Sequence, residues 1–281
     1  MGTVLQHFPF QTQFKISFNF LRKIYIQRSL IRNFVVRDLK ARYVGSFIGI
    51  FWSVIHPIVL LLVYTFVFSL IFRSRINPET EGTDSFALFL FCGILPWLFF
   101  QDTVQRSSTV IIENTNLVTK TLFPGEILPL VILLSGFVNH LIGFAIFFPI
   151  LLFSSVKISI FILMIPVYIF FLMAFTLGIS WFVASLNVFI RDVSQIVTVI
   201  LMFWFWGTPI FYPMEIFPKS LVFLVHCNPL AYVVIGYRDC LLRNQMPDLE
   251  KLAIFAVISL VVFSVGGIFF RKTKREFADN L

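Results

Sequence analysis

Charge is scarce in this chain: 13 % of its 281 residues are Asp, Glu, Lys or Arg, against about 25 % in soluble domains. A water-soluble fold of that composition would expose large apolar patches, which excludes an ordinary soluble domain. Cysteine is scarce too. Cys92, Cys227 and Cys240 are spaced for neither a zinc site nor a CxxC redox pair; Cys92 reads as helix packing, and a Cys227–Cys240 bridge stays open. No GxxxxGK[ST] phosphate loop is present, so ATP is not bound by that route. HExxH and GxSxG are also missing, and the four histidines, His7, His56, His140 and His226, fall on different segments. Neither a metal nor a nucleophile site is indicated. Polar groups are spread thinly along the chain, which counts against a membrane-embedded acyl- or glycosyltransferase. The first 50 residues lack a signal-peptide pattern, so insertion is expected to use the first membrane helix.

What the chain has is hydrophobic length. Apolar residues make up 58 %, with 38 Phe among them, and the mean hydropathy is +0.92. A bilayer core of ~30 Å needs roughly 20 apolar residues in a helix. Six segments meet or approach that: 50–72, 86–104, 127–153, 158–186, 194–212 and 252–270. Residues 1–27 read as a cytoplasmic arm and 271–281 as a cytoplasmic tail. Residues 28–46 carry five basic groups and cannot span. Val35, Val36, Leu39 and Tyr43 fall on one arc with Arg37 and Lys40 opposite and Arg42 at the edge, the pattern of a helix lying in the interface plane. The stretch 213–250 is apolar but broken by Pro213, Pro218 and Pro229; it reads as a re-entrant pair of short helices at 214–226 and 229–242. The predicted fold class is therefore all-α integral membrane, with six transmembrane helices, an N-terminal interfacial amphipathic helix and a re-entrant outer helical pair before the last span.

With the N-terminus inside, fifteen of the 22 Lys and Arg lie on the inner side and seven on the outer. That bias predicts two cytoplasmic termini. The net charge of +8 sits beside apolar spans, so membrane lipid surfaces explain it better than nucleic acid.

The run Arg37 to Pro57, RDLKARYVGSFIGIFWSVIHP, joins a basic helix, a Gly45-x3-Gly49 break, Trp52 and a Pro inside the first span. It resembles the start of the membrane subunits of ABC type-2 exporters, in their polysaccharide-export branch, at Arg37, Asp38, Leu39, Arg42, Tyr43, Ser46, Gly49, Trp52 and Pro57; Ile48 stands where Leu is usual. The resemblance continues through CGILPWLFFQDTV (92–104), NLVTKTLFPGEILPL (116–130, with Gly125 where Arg is common), LNVFIRDVSQI (186–196), TPIFYP (208–213) and NPLAYVVIGYRDCLL (228–242). Single motifs of this kind are weak, but five in order across nearly the whole chain are specific.

This resemblance implies a bacterial inner-membrane permease without an enzymatic site or cofactor of its own. It implies a homodimer working with two copies of a separate ATPase subunit, which binds ATP and Mg, and a lipid-linked polysaccharide of O-antigen, capsular or teichoic type as substrate. The coupling candidates are Arg37, Asp38, Lys40 and Arg42 in the basic helix, Ser107, Ser108, Glu113, Asn114 and Lys120 in the loop 105–126, and Arg191 and Asp192 between spans four and five. Lipid binding by the helix, a plain connector role for the loop and a self-satisfied Arg191–Asp192 pair are the alternatives. The resemblance places spans one and five face to face across the dimer, which makes Trp52, Tyr64, Phe66, Phe203, Trp204, Phe205, Trp206 and Tyr212 candidates for a glycan path; rings facing lipid are the alternative. Pro213, Pro229 and an Arg238–Asp239 pair are candidates for an outer gate. Asn139 and His140 are expected to make interhelical hydrogen bonds. A drug or lipid exporter of the same fold, or a transferase or scaffold, remains the competing reading.

Overall fold

In the computed structural model, residues 25–42, 49–73, 76–120, 123–154, 156–214, 217–218, 220 and 222–281 are described. The predicted arm 1–27 lies almost wholly outside them, as do Tyr43, Gly45 and Ser46. The described residues form helices and connecting turns with no strand. In chain order these are α1 (Arg28–Ala41), α2 (Trp52–Thr65, continued by a π-helical turn to Ile71), α3 (Pro78–Glu81), α4 (Phe86–Glu113), α5 (Thr115–Lys120), α6 (Ile127–Leu152), α7 (Ile165–Phe189), α8 (Val193–Trp206), α9 (Val222–His226), α10 (Pro229–Leu241), α11 (Leu249–Thr273) and α12 (Phe277–Asn280). Five helical stretches are long and apolar enough to cross a membrane: Trp52–Ile71, Pro78–Glu113, Ile127–Leu152, Ile160–Phe189 and Leu249–Glu276.

Helix α8 is the exception. The expected span 194–212 ends as a helix at Trp206, and its 14 residues reach only about 21 Å at ~1.5 Å per residue. Residues 208–211 and Pro213 turn back and are buried, so the chain continues along the bundle as irregular backbone covered by protein. This arrangement keeps its polar groups away from lipid.

The bundle is built around α4. Ser85 caps it by accepting from the Leu88 N–H, and Pro96 lies inside it. Its apolar window is 78 % buried, whereas that of α2 is 0 % buried. The rim helix is the more apolar of the two, as suits a face turned to lipid or to a second copy. The closest helix pair is α7 with α11. A Cβ on Gly266 would stand 2.0 Å from the Gly178 carbonyl oxygen, and one on Gly178 would stand 2.5 Å from that of Val262. In lipid, where apolar side chains gain nothing by leaving the tails, such backbone-close contact is what holds helices together.

Helix α1 spans Arg28–Ala41; residues 43–46 of the expected helix lie outside the described ones. Ile31 is its buried residue, Leu30, Phe34 and Val35 pack against the core, and Val36 is exposed. The buried arc is thus rotated from the expected one. The cause is the side chains of Asp38 and Arg42, which turn inward to meet charges on α4. We call the end of the bundle that holds α1, the α6 start and the α11 finish the near end, and the end that holds residues 76–85, 207–214 and 222–248 the far end.

Candidate functional site

At the near end, α1 and α4 are joined by a chain of alternating charges. Arg106 donates to Asp38 at 2.5 Å, Asp38 lies 3.6 Å from the Arg42 Nε, and Arg42 donates to Asp102 at 2.9 Å. Arg42, at the edge of the expected stripe, is therefore an ion-pair residue and not a lipid-facing one. Arg37 lies over the Phe34 ring at 4.2 Å, and Lys40 is exposed. One turn along α4, Gln105 reaches α8: its amide donates to the Ser194 carbonyl at 3.4 Å and its oxygen accepts from Thr198 at 3.1 Å. Helices α1, α4 and α8 are thereby linked in series.

The expected loop 105–126 is mostly helix, because α4 runs on to Glu113 and α5 follows at once. Helical periodicity turns Ser107 and Ser108 inward, and both are fully buried; Ser108 donates to the Gln105 carbonyl at 2.6 Å. Neither presents a docking surface. Glu113 is exposed and accepts from Thr109 at 2.7 Å, while Asn114 donates to the Val110 carbonyl at 2.9 Å. Lys120 ends α5, and its side chain lies outside the described set. Arg191 and Asp192 are both exposed in the tight α7–α8 turn, with no ion pair between them among the described residues. The C-terminal segment braces this end. Lys274 pairs with Glu126 at 3.1 Å, the Glu126 carbonyl accepts from Trp181 Nε1 at 3.1 Å, and Phe277 is buried against Phe270.

The path candidates divide into two groups. Trp52 (43 % exposed), Phe66, Phe203 (71 %) and Trp206 lie on open faces of α2 and α8. Trp204 and Phe205 point inward: Trp204 packs edge-on to Phe100 at 5.2 Å and donates to Asn228, and Phe205 packs on Trp97 at 5.4 Å. Successive helix residues diverge by ~100°, so WFW cannot all face one path. Tyr64 sits edge-on to Phe211, and Tyr212 stacks on Phe217 with its hydroxyl donating to the Trp206 carbonyl at 3.0 Å.

At the far end, helix α10 clamps the turn after α8 at two points. Before Pro229, the Asn228 side chain accepts from Leu230 N–H and Trp204 Nε1, and donates to the Gly207 carbonyl and Thr208 Oγ1, at 2.8–3.2 Å. Near the other end of α10, Arg238 donates to the carbonyls of Pro209 and Ile210 at 2.7 and 2.8 Å, with its guanidinium 3.5 Å from the Phe89 ring centre. The expected Arg238–Asp239 pair does not form, since neighbours on a helix point apart. Asp239 instead accepts from Arg243 and Gln245, both at 2.8 Å, and Arg243 also donates to Glu81 at 2.7 Å. Burial opposes the Arg243 charge, but the two carboxylates outweigh it and hold its pKa above the usual guanidinium value. Gly82 (φ +71°) lies so close to Leu242 that a Cβ would stand 2.2 Å from the Leu242 carbonyl oxygen, which fixes residues 78–85 onto this cluster. Pro213 is buried. Cys227 is exposed, Cys240 is buried, and both are free thiols.

Mid-bundle, His140 bridges α4 and α10. Its Nδ1 lies 3.2 Å from the Leu95 carbonyl and its Nε2 3.3 Å from the Tyr237 hydroxyl. A carbonyl only accepts, so Nδ1 carries the proton and Nε2 accepts from Tyr237. His140 thus makes the expected interhelical bonds; Asn139 instead lines a cavity of ≈ 450 Å³ between α2, α4 and α6. The residues missed in the sequence were Asp102, Gln105, Arg106 and Asn228. Gln105 and Arg106 were hidden by ending the second span at 104, and Asp102 lay inside that span without its helical partners; polar residues recurring at 102, 105 and 106 on one helical face were the available signal.

The profile of the ABC-2 type transporter family matches residues 29–242. The O-antigen export system permease protein RfbA of Myxococcus xanthus is 30 % identical over 267 residues, covering 93 % of this chain and 98 % of that protein. A protein of the same name from Klebsiella pneumoniae is 30 % identical over 246 residues, covering 87 % and 92 %. The polysialic acid transport protein KpsM of Escherichia coli is 21 % identical over 257 residues, covering 89 % and 95 %. A bundle of apolar helices with this profile over most of its length leads to one conclusion: the chain is a multi-pass membrane protein that belongs to the ABC-2 type transporter family.

Proposed function

We propose that the chain is the permease subunit of an ATP-driven exporter that moves a lipid-linked polysaccharide of the O-antigen kind from the cytoplasmic to the outer side of the bacterial inner membrane. The observation that carries this reading is similarity along 98 % of a permease named for O-antigen export. The architecture supports it. Helix α2 has no buried residue, and α8 leaves Ile196, Val199, Ile200, Met202, Phe203 and Trp206 open. Two copies meeting on these faces would close a path lined by rings that stack on sugars and demand no fixed hydrogen bonds. In this reading α8 with its returning turn serves as the sixth span, and α9 and α10 are the re-entrant pair.

The near end is the cytoplasmic side, in keeping with the fifteen-to-seven charge bias. A separate ATPase binds ATP and Mg and pushes on α1 and on the α4–α5 corner, where Arg37, Lys40, Glu113 and the Arg191–Asp192 turn are open to a partner. The ionic chain through Asp38 and Arg42, then Gln105, carries that push to α8. Purification of the full chain with the ATPase encoded beside it tests the reading. A stoichiometric complex whose ATP turnover depends on this subunit is expected; an ATPase that neither binds nor responds would refute it.

A further inference from the structure

The ≈ 450 Å³ cavity between α2, α4 and α6 lies within one chain, and no α8 residue lines it. Its α2 wall includes Trp52, which also stands on the face proposed to border the path between two copies. Its volume is within the ~300–1,000 Å³ range of small-molecule sites. Along α4 its lining runs from Arg106 to Leu95, eleven residues or about 16 Å at ~1.5 Å per residue. That is about half of the ~30 Å hydrocarbon core, the depth of one leaflet. The deep end carries Leu95, Leu98, Phe99 and Gly143, with Asn139 beside them and His140, whose ring nitrogens are already taken by the Leu95 carbonyl and the Tyr237 hydroxyl. The mouth is formed by Arg42, Asp102 and Arg106.

The mouth is charge-balanced. Two guanidiniums alternate with two carboxylates; the Nε of Arg42 and the Oδ2 of Asp38 face each other at 3.6 Å without a hydrogen bond, and the Nη1 of Arg106 has no hydrogen-bond partner. A purely anionic head would repel Asp38 and Asp102 as it met the arginines. A head bearing both a phosphodiester and an ammonium can exchange with the pairs and leave no charge alone: phosphate oxygens supply the arginines with the acceptors they lack, and the ammonium goes to the Asp102 carboxylate, which is 41 % exposed. Breaking such pairs without replacement is the costly alternative.

We propose that this cavity is a binding site for a zwitterionic phospholipid of the inner leaflet, with one acyl chain in the slot and a phosphoethanolamine head at the Arg42–Asp102–Arg106 mouth. The test is native mass spectrometry of the full-length chain, delipidated in mild detergent and offered equimolar phosphatidylethanolamine and phosphatidylglycerol. The wild type is expected to retain one phosphatidylethanolamine per chain with at least tenfold preference. D102N removes the ammonium's partner and leaves two guanidiniums with Asp38 as their one carboxylate, and is expected to reverse the preference toward phosphatidylglycerol. N139W, which fills the slot, is expected to lose the bound lipid. Equal retention of both lipids by the wild type, a preference unchanged in D102N, or retention of a glycan carrier alone would overturn the proposal. The competition in the wild type and D102N decides it even where N139W does not fold, and the outcome is independent of what the transporter exports.

Discussion

Removing Asp38 should harm the protein more than removing Asp38 and Arg106 together. Asp38 holds Arg106 at 2.5 Å and stands 3.6 Å from Arg42, with side chains 16 % and 28 % exposed for the Asp38–Arg106 pair. D38A leaves two guanidiniums beside one carboxylate at the bundle end; R106M, which keeps the aliphatic stem, leaves two carboxylates beside one guanidinium. D38A/R106M restores balance through the remaining Arg42–Asp102 pair. Hydrogen bonds between charged groups contribute about 1.5–3 kcal/mol, and partial exposure moves this pair to the lower end. A coupling of about 1–2 kcal/mol follows, a factor of roughly 5–30 in an equilibrium. Chemical unfolding of the purified chain and its three variants measures it, with surface polysaccharide scored in parallel. Distant sites add to within ~0.3–0.5 kcal/mol, so additivity within that margin would refute the ionic linkage of α1 to α4.

Other outcomes follow from the same geometry. N228A strands the Trp204 and Leu230 N–H groups and removes the donor to the Gly207 carbonyl, at about 1–3 kcal/mol for each buried group left unpaired; it should lower the unfolding midpoint and abolish export, and a near-wild-type midpoint contradicts the clamp. R238K cannot reach the Pro209 and Ile210 carbonyls together as a planar fork does, so it should fail to restore the activity that R238M loses. G266L forces α7 from α11 across the 2.0 Å approach at Gly178 and should cost at least the ~1–3 kcal/mol of overpacking, read as reduced yield of folded protein from detergent. Cysteines placed at Phe203 and Trp206 should cross-link two copies in membranes, whereas cysteines at the buried Phe175 should not.

Five of the six expected spans were legible because each is a long apolar run, and the boundaries of α6 agree with the expected 127–153 to within a residue. Helix α10, Pro229–Leu241, was legible because Pro229 breaks the apolar stretch there, whereas the Asn228 cap before it was not noticed. What the sequence left hidden was direction. A helix apolar on all sides gives no periodic signal of which face is inside, so the sequence did not show that α2 lies at the rim and α4 at the centre. The same limit applied to Trp204, Phe205 and Phe203, which differ only in angle. Charges misled in a different way. Arg42 and Asp38 read as an interfacial stripe with a flaw, because their partners Asp102 and Arg106 lie some sixty residues away. Arg238 and Asp239 read as a pair because they are adjacent, while helix geometry gives each a different partner.

The central claim is export of a lipid-linked polymer, and deletion of this chain in its native cell tests it most directly. Surface polysaccharide and membrane-extracted lipid-linked glycan are measured together. The account predicts loss of the surface polymer with accumulation of the lipid-linked form on the cytoplasmic side, both reversed by the wild-type chain. Unaltered surface polymer with no internal accumulation would contradict it.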